Sequence, residues 1–371
     1  MMSLLTFERS LANKKILITG HTGFTGGWAC LWLQSIGAKI AGYSLPPDTH
    51  PSLFAALELE DSVPTTFGDI CDYPSFLSAV EKFQPEIILH LAAQPLVRRS
   101  YHEPVRTFAV NSQGTAHVLE AARSVRSVRA VLCITTDKVY KNNEWLWPYR
   151  EEDPLGGKDP YSASKAAAEM VIQSYAASYP WQENKGPAIA TARGGNIIGG
   201  GDWSEDRLIP DFVRAILQNS QLTLRYPQAT RPWQHVLALV HGYLMLLAGL
   251  VSEDPTPYAR AWNLGPQDPQ AYSVKDVLEL MSKHWQRPEL NYMQNPLPEA
   301  NSLALDSTIA RNVLKWRPVW DTKEVIAQTA AWYRDYYANP AMAREITLKQ
   351  IDAWRKGIYS NAAMANDVVH A

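Results

Sequence analysis

Three features of this 371-residue chain predict an α/β fold, a doubly wound parallel sheet with helices on both faces. Short apolar runs alternate with helix-length segments through the first half. Several of those runs are continuously apolar rather than alternating, as strands buried on both faces must be. The first run, Lys15-Ile16-Leu17-Ile18-Thr19, leads directly into Gly20-His21-Thr22-Gly23-Phe24-Thr25-Gly26. A strand that turns on glycines into a helix is the Rossmann-type opening, with the helix N-terminus available to an anion.

Candidate strands lie at 15–19, 39–44, 86–91, 129–135 and 188–192, with a further short one at 65–67. Helices fit between them at 26–35, 73–83, 111–124 and 162–178. Such repetition of strand, helix, strand gives a parallel sheet. Beyond Arg193 the texture changes, with glycines at Gly194-Gly195 and Gly199-Gly200-Gly201, then prolines at Pro210, Pro227, Pro232 and Pro266. A smaller, loop-rich C-terminal substrate domain is expected there. The expected division is 1–192 and 193–371, with 232–265 able to return to the first part. The small, polar stretch from about Asn361 is expected to fray.

The length suits a large core in two parts. Apolar residues make up 46% and charged residues 19%, an ordinary globular balance. A net charge of −2 gives no field to attract nucleic acid or an anionic membrane. Cys30, Cys71 and Cys133 are far apart, fit no zinc spacing and are odd in number, so buried thiols in a reducing cytoplasm are expected. The nine histidines show no metal-site spacing, and no metal is expected. The N-terminus lacks the apolar core of a signal peptide. The most apolar stretch, 236–251, is broken by His241 and Gly242. It is shorter than the roughly 18 residues a membrane span needs, so it reads as a buried helix. The 13 tryptophans either pack the core or wall a flat ligand.

In the glycine turn, Gly23 would let the backbone approach a pyrophosphate and Gly26 would let helix and strand pack closely. The second strand ends Gly42-Tyr43-Ser44-Leu45, without the carboxylate that ordinarily binds the ribose hydroxyls. No arginine stands between Arg9 and Arg98, so a 2′-phosphate cage is missing too. NAD is therefore favoured over NADP, with Asp48 as a substitute ribose ligand. In Gly68-Asp69-Ile70, Asp69 would accept the adenine amino group and Ile70 would cover the ring; the alternative is a helix cap before Tyr73. Small residues in Leu91-Ala92-Ala93 leave room beside the sheet, and Asn111 starts a helix as a contact or as its cap.

Thr135-Thr136-Asp137-Lys138 closes the fifth strand at its carboxyl end, the edge where open parallel sheets bind ligands. Tyr161-Ser162-Ala163-Ser164-Lys165 then sets a phenol and an ammonium on one helix face. A tyrosine is a poor base unless acidified from a free pKa of about 10. Lys165 and a positive nicotinamide ring would both favour the phenolate. The Thr136 hydroxyl could bond a substrate oxygen that Tyr161 also touches.

Taken in order, Gly20-x-x-Gly23-x-x-Gly26, His90-Leu91-Ala92-Ala93, Val110-Asn111-x-x-Gly114-Thr115 and Tyr161-x-x-x-Lys165 resemble the extended short-chain dehydrogenase/reductase family over nearly the whole chain. Thr136-Asp137 followed by Val139-Tyr140 is similar to its nucleotide-sugar 4,6-dehydratases, which usually carry Asp-Glu after the threonine where this chain has Asp137-Lys138. That departure, with Arg193-Gly194-Gly195-Asn196 through Asp202-Trp203 and with Arg231-Pro232-Trp233-Gln234-His235-Val236, is similar to members acting on CDP-glucose.

The resemblance implies NAD held by Gly20, Thr22, Gly23, Phe24, Thr25, Gly26, Asp69, Ile70, Leu91, Ala92, Ala93, Asn111, Thr135, Tyr161 and Lys165. It implies CDP-glucose bound by Thr136, Asn196, Arg207 and Arg231, with the guanidinium of Arg231 as diphosphate clamp. Catalysis would fall to Thr136, Asp137, Lys138, Tyr161 and Lys165. Tyr161 would take the 4-hydroxyl proton as hydride leaves carbon 4 for NAD⁺. Asp137 would protonate the hydroxyl lost from carbon 6, and hydride would return there. Lys138, standing where relatives carry a glutamate base, is either a base of lowered pKa or a cation that stabilises the enolate. The resemblance also implies a homodimer or homotetramer, with helices 111–124 and 162–178 in contact. A 4-epimerase would need Tyr161 and Lys165 but not Asp137; a nucleotide-sensing regulator would be expected to have lost the Tyr/Lys pair.

Overall fold

A computed structural model describes residues 4–266, 272–293 and 303–367. Seven strands form one sheet: β1 (Lys15–Thr19), β2 (Lys39–Ser44), β3 (Thr65–Phe67), β4 (Ile87–His90), β5 (Ala130–Thr136), β6 (Ala188–Gly194) and β7 (Ala261–Leu264). Their order is β7-β6-β5-β4-β1-β2-β3, and every neighbouring pair is parallel. The order reverses between β1 and β4, so the crevice of the fold opens there, at the carboxyl ends of the strands.

Alternate residues of β1, β2, β4, β5 and β6 feed two different cores. Ile16 and Ile18 of β1 and Leu132 of β5 join one cluster, and Leu17, Val131 and Cys133 join the other. Both faces being apolar explains the unbroken apolar runs. Helices α1 (Leu4–Leu11), α2 (Phe24–Ser35), α3 (Tyr73–Phe83), α4 (Gly114–Ser124), α5 (Pro160–Ser178) and α6 (Val236–Leu250) surround the sheet. All 15 residues of α6 are buried, packed against α1, α2, β5 and β6. This segment and β7 therefore belong to the sheet's layers, although the chain makes other elements between β6 and α6.

Several expectations shift. β5 and β6 run on to Thr136 and Gly194, carrying polar residues to the sheet edge. Asn111 does not start a helix: a π-turn, Ala109–Gln113, joins the preceding helix to α4, with Asn111 in its middle. Cys30 and Cys133 are buried, but Cys71 is only half-buried, on the turn after β3. The backbone beyond Asn361 stays helical to Asp367, within α8 (Ala343–Asp367), which follows α7 (Thr322–Ala338). Trp28, Trp32, Trp262, Trp316, Trp332 and Trp354 are fully buried, so these indoles pack the core. The glycine run after β6 serves them: a methyl group on Gly200 would collide with the Trp332 indole, and Trp28 Nε1 donates to the Gly200 carbonyl at 3.0 Å. Among the described residues no helix is long and apolar enough to cross a membrane. None of them form a group of three metal-ligating side chains.

Candidate active site

The glycine turn is shaped by its own neighbours. Gly20 has φ +73°, and a methyl group on it would lie 2.7 Å from the Ala92 nitrogen, so the turn presses on the chain leaving β4. A methyl group on Gly26 would strike the Gly20 carbonyl. Gly23 differs: its added carbon would meet only the Gly20 oxygen, at 3.4 Å. The backbone is therefore open at Gly23, and no side chain caps α2 above it. Thr25, Phe24 and Gly26 form the first turn of that helix. This is a cradle for a diphosphate.

Around it, Thr22 Oγ1 lies 2.8 Å from Ser44 Oγ and donates to the Leu45 carbonyl at 3.0 Å, fastening the turn to the end of β2. Asp48 is bound to Arg99 Nη1 at 3.2 Å, and Arg99 also holds Glu205 at 2.9 Å. An arginine does therefore reach the loop after β2, from far along the chain. Asp69 accepts from the Cys71 amide at 2.9 Å and from Arg106 at 2.7 Å. Burial opposes its charge, but those two partners outweigh it and hold the carboxyl below its ordinary value. Asp69 does not cap the next helix; Asp72 does, accepting from the Ser75 amide at 3.2 Å. Ile70 is buried under Gly114, where a methyl group would come within 2.7 Å of it.

Leu91, Ala92 and Ala93 leave β4 beside the turn, half-buried. Asn111 is buried and fully engaged: Oδ1 accepts from the Gln94 amide at 2.9 Å, and Nδ2 donates to the Gln94 carbonyl at 3.1 Å and to Ser164 Oγ at 2.9 Å. Ser164 Oγ in turn donates to the Tyr161 carbonyl at 2.7 Å. Asn111 thus braces the chain leaving β4 against the helix that carries Tyr161.

That helix, α5, starts where Asp159 caps it, accepting from the Ser162 amide at 2.9 Å. Tyr161 and Lys165 are both buried, one turn apart. Lys165 Nζ donates to the Ile134 carbonyl of β5 at 3.1 Å. Burial draws Lys165 down to about 8, with Cys133 and Glu169 opposing. Burial pushes Tyr161 up to about 12, against a hydrogen bond with Thr136 and the charge of Arg207. Desolvation of the phenol thus outweighs the Thr136 hydrogen bond and the Arg207 charge.

Thr136 Oγ1 donates to Asp137 Oδ1 at 3.0 Å and accepts from the Lys138 amide at 3.3 Å. Asp137 is buried, and a methyl group on Gly195 would sit 3.3 Å from its Oδ2. Burial raises its pKa, against Lys138, Thr136 and Arg231. Lys138 Nζ stands over the Tyr161 ring, 5.9 Å from its centroid. Arg207 Nη1 pairs with buried Asp202 at 2.9 Å, and Asn196 offers its carbonyl to the Gln234 amide at 3.2 Å. Arg231 Nη1 donates to the Thr230 carbonyl at 2.8 Å. The structure thus gathers Thr136, Asp137, Lys138, Tyr161 and Lys165 into one site, with Arg207 and Arg231 within electrostatic reach.

Two members of the surroundings escaped the sequence. Thr135 Oγ1 turns to Glu169 Oε1 at 2.6 Å, and Glu169 pairs with Arg193 at 2.8 Å; both charges are buried. The signals were a glutamate one turn after Lys165 on the same helix face, and an arginine ending an apolar strand.

Sheet, glycine turn and the Tyr161/Lys165 pair beside the end of β5 define an enzyme of the short-chain dehydrogenase/reductase type. The chain belongs to the GDP-mannose 4,6 dehydratase family, whose model matches residues 17–329. A CDP-glucose 4,6-dehydratase from Salmonella typhimurium is 41% identical over 328 residues, 87% of this chain and 91% of its own. A dTDP-D-glucose 4,6-dehydratase from Homo sapiens is 29% identical, over 88% of this chain and 91% of its own. Among solved structures, a dTDP-glucose 4,6-dehydratase from Streptomyces venezuelae with NAD and TYD bound matches with a TM-score of 0.75 at 22% identity, over 87% of this chain and 98% of that one. A Thermus thermophilus UDP-glucose 4-epimerase in complex with NAD gives 0.73 at 23%, over 86% and 99%. At those identities the solved structures share the fold.

Proposed function

We propose that the protein converts CDP-glucose to CDP-4-dehydro-6-deoxyglucose with NAD⁺. The observation that carries the reading is Asp137, a buried carboxyl that burial biases toward its protonated form, set beside Thr136 at the end of β5. A dehydratase needs such an acid; an epimerase does not. The 41% identical relative bears the CDP-glucose name, and the substrate assignment follows it.

The cradle at Gly20, Gly23 and Gly26 fits the diphosphate of NAD⁺, because only the backbone at Gly23 is left open. When bound, the cofactor would accept hydride from carbon 4 as NAD⁺ and return it to carbon 6 as NADH. Tyr161 removes the proton of the 4-hydroxyl, with Thr136 orienting the same oxygen. Lys165 holds its helix to β5 through the Ile134 carbonyl and carries positive charge one helical turn from Tyr161. Asp137 gives its proton to the hydroxyl leaving carbon 6. Lys138, placed over the Tyr161 ring, would take the carbon 5 proton as water leaves and return it to carbon 5 when hydride reaches carbon 6, its ammonium form stabilising the enolate in between. Arg231 and Arg207 hold the diphosphate side, with Asn196 near the sugar-diphosphate.

In this reading residues 1–192 with α6 and β7 form the cofactor side, and the remainder of 193–371 the nucleotide-sugar side. The intact, buried Tyr161/Lys165 pair speaks against a sensor that has lost its chemistry. Neighbouring α4 and α5, with Met170 of α5 exposed and Val105 and Phe108 exposed on the short helix Pro104–Phe108 that packs on α5, support association of copies on this side. A cytoplasmic, homo-oligomeric enzyme completes the proposal. Incubation with CDP-glucose and NAD⁺ should yield a 4-keto product, read by its alkaline absorbance. Conversion to CDP-galactose, or turnover of another nucleotide sugar alone, would overturn the assignment.

A further inference from the structure

We propose that Glu169 and Arg193 are positioning residues: a buried ion pair that aligns the strand end bearing Thr136, Asp137 and Lys138 with the helix face bearing Tyr161 and Lys165. The proposal rests on the dehydratase reading of that site.

The contacts reach every part of it. Arg193 Nε donates to Glu169 Oε1 at 2.9 Å and Nη2 donates to Oε2 at 2.8 Å, a two-pronged pairing. Glu169 also accepts from Thr135 Oγ1 at 2.6 Å and from Thr191 Oγ1 at 3.3 Å. Arg193 Nη1 donates to the Tyr140 hydroxyl and to the Glu151 carbonyl, each at 2.8 Å. Its guanidinium also lies 5.1 Å from the centroid of the Tyr140 ring. Tyr140 then donates to Asn263 Oδ1 of β7 at 2.7 Å.

Four of these residues lie close in the chain to the groups that line the site. Thr135 precedes Thr136. Tyr140 lies two residues after Lys138. Glu169 lies one helical turn beyond Lys165 and two beyond Tyr161. Arg193 lies two residues before Gly195, which approaches the Asp137 carboxylate. One pair therefore ties β5, β6, α5 and the segment after Lys138 at a single point.

Stability is a weak reason for such a pair. Glu169 is fully buried and Arg193 is 1% exposed. Withdrawing two charges from water is costly, and a well-packed apolar pair often serves stability as well. What an apolar pair does not provide is directional bonding: the fixed fork of a guanidinium on a carboxylate. The charge matters too. Lys165 is faced by Glu169 from its own helix, by Cys133 from β5 and by His90 from β4. Glu169 supports the ammonium against the burial that lowers it.

The test starts from wild-type enzyme turning over CDP-glucose with NAD⁺; absence of that product sinks the function assignment and leaves the pair untouched. The apolar double variant Glu169→Leu/Arg193→Met should melt near the wild-type temperature and bind NAD⁺ with wild-type affinity by calorimetry. Its kcat should fall by about 10²-fold, the scale of a small misplacement of reacting groups, while KM for CDP-glucose changes little. Glu169→Gln should also move the alkaline limb of the kcat profile to lower pH, because Lys165 loses its nearby negative charge. Thr135→Val, which removes one tie to Glu169, should lower kcat while NAD⁺ affinity by calorimetry stays at the wild-type value, and Thr135→Ser should restore kcat; a loss explained by weaker NAD⁺ binding counts against the proposal. These two variants decide the matter if the others do not fold. An apolar pair with wild-type kcat and an unmoved pH limb overturns the proposal. So does Thr135→Val at full activity.

Discussion

Burial acts on Asp137 and Tyr161 in the same direction, with opposite value for chemistry. It raises both, which readies Asp137 to give a proton and makes Tyr161 slower to lose one. Tyr161→Phe should keep nucleotide-sugar binding but lose roughly 10²-fold or more in turnover, the usual worth of a positioned base. Turnover near wild type would show that another group takes the proton. Asp137→Asn should preserve oxidation at carbon 4 and block elimination. Rapid quenching and mass spectrometry should then find a 4-keto hexose that keeps its oxygen at carbon 6. Elimination at the wild-type rate would remove Asp137 from its role. These two residues, with Thr136 and Lys165, were legible because their chemistry comes as residue types at short spacing. The pairing of Asp48 was not: its partner Arg99 comes from beyond β4, and only folding brings the two together. The pairing of Glu169 with Arg193 was hidden for the same reason: a helix residue and a strand residue 24 positions apart meet only on folding, and in sequence each charge looks like a solvated one.

Within the elements, the glycine turn separates folding from binding at neighbouring positions. Gly26→Ala puts a methyl group into the Gly20 carbonyl, so the turn must shift; overpacking of that kind costs about 1–3 kcal/mol. Gly23 sits at φ −82°, open to any residue, and an added methyl group meets nothing closer than 3.4 Å. Gly23→Ala should therefore melt like wild type yet bind NAD⁺ much more weakly. Thermal melts and equilibrium titration test the pair of outcomes; equal binding by Gly23→Ala would show that the diphosphate lies elsewhere. Strand positions were readable because both faces of the sheet are apolar. Their ends were less so, since Thr136 and Arg193-Gly194 continue the ladder beyond the expected strand ends with residues that sequence alone assigns to a loop. The π-turn at Asn111 left no mark, because its cause is the buried bracket to Gln94 and Ser164.

Across the whole molecule, four buried histidines tie stability to pH. Burial lowers His21 to about 4 and His235 and His241 to about 3; His90, also lowered by Lys165, falls to about 3. These folded values lie below the ordinary 6.5, so the unfolded chain binds more protons once the pH drops through that range. Their contribution is full above about pH 6.5 and is lost progressively toward pH 3–4, at up to about 1.4 kcal/mol per histidine per pH unit. Urea midpoints should be level between pH 7 and 8 and fall steadily below 6.5; equal midpoints at pH 5 and 7.5 would contradict this. The α6 helix bears on something else, the order in which the ribosome delivers the chain. β6 emerges long before α6 and β7, the elements that cover its face and its outer edge. Until residue 264 is released, the growing sheet keeps an unpaired rim and an uncovered apolar face, the features that make nascent chains associate wrongly. Translation stopped between β6 and α6 should therefore yield insoluble or chaperone-bound product rather than a working cofactor domain.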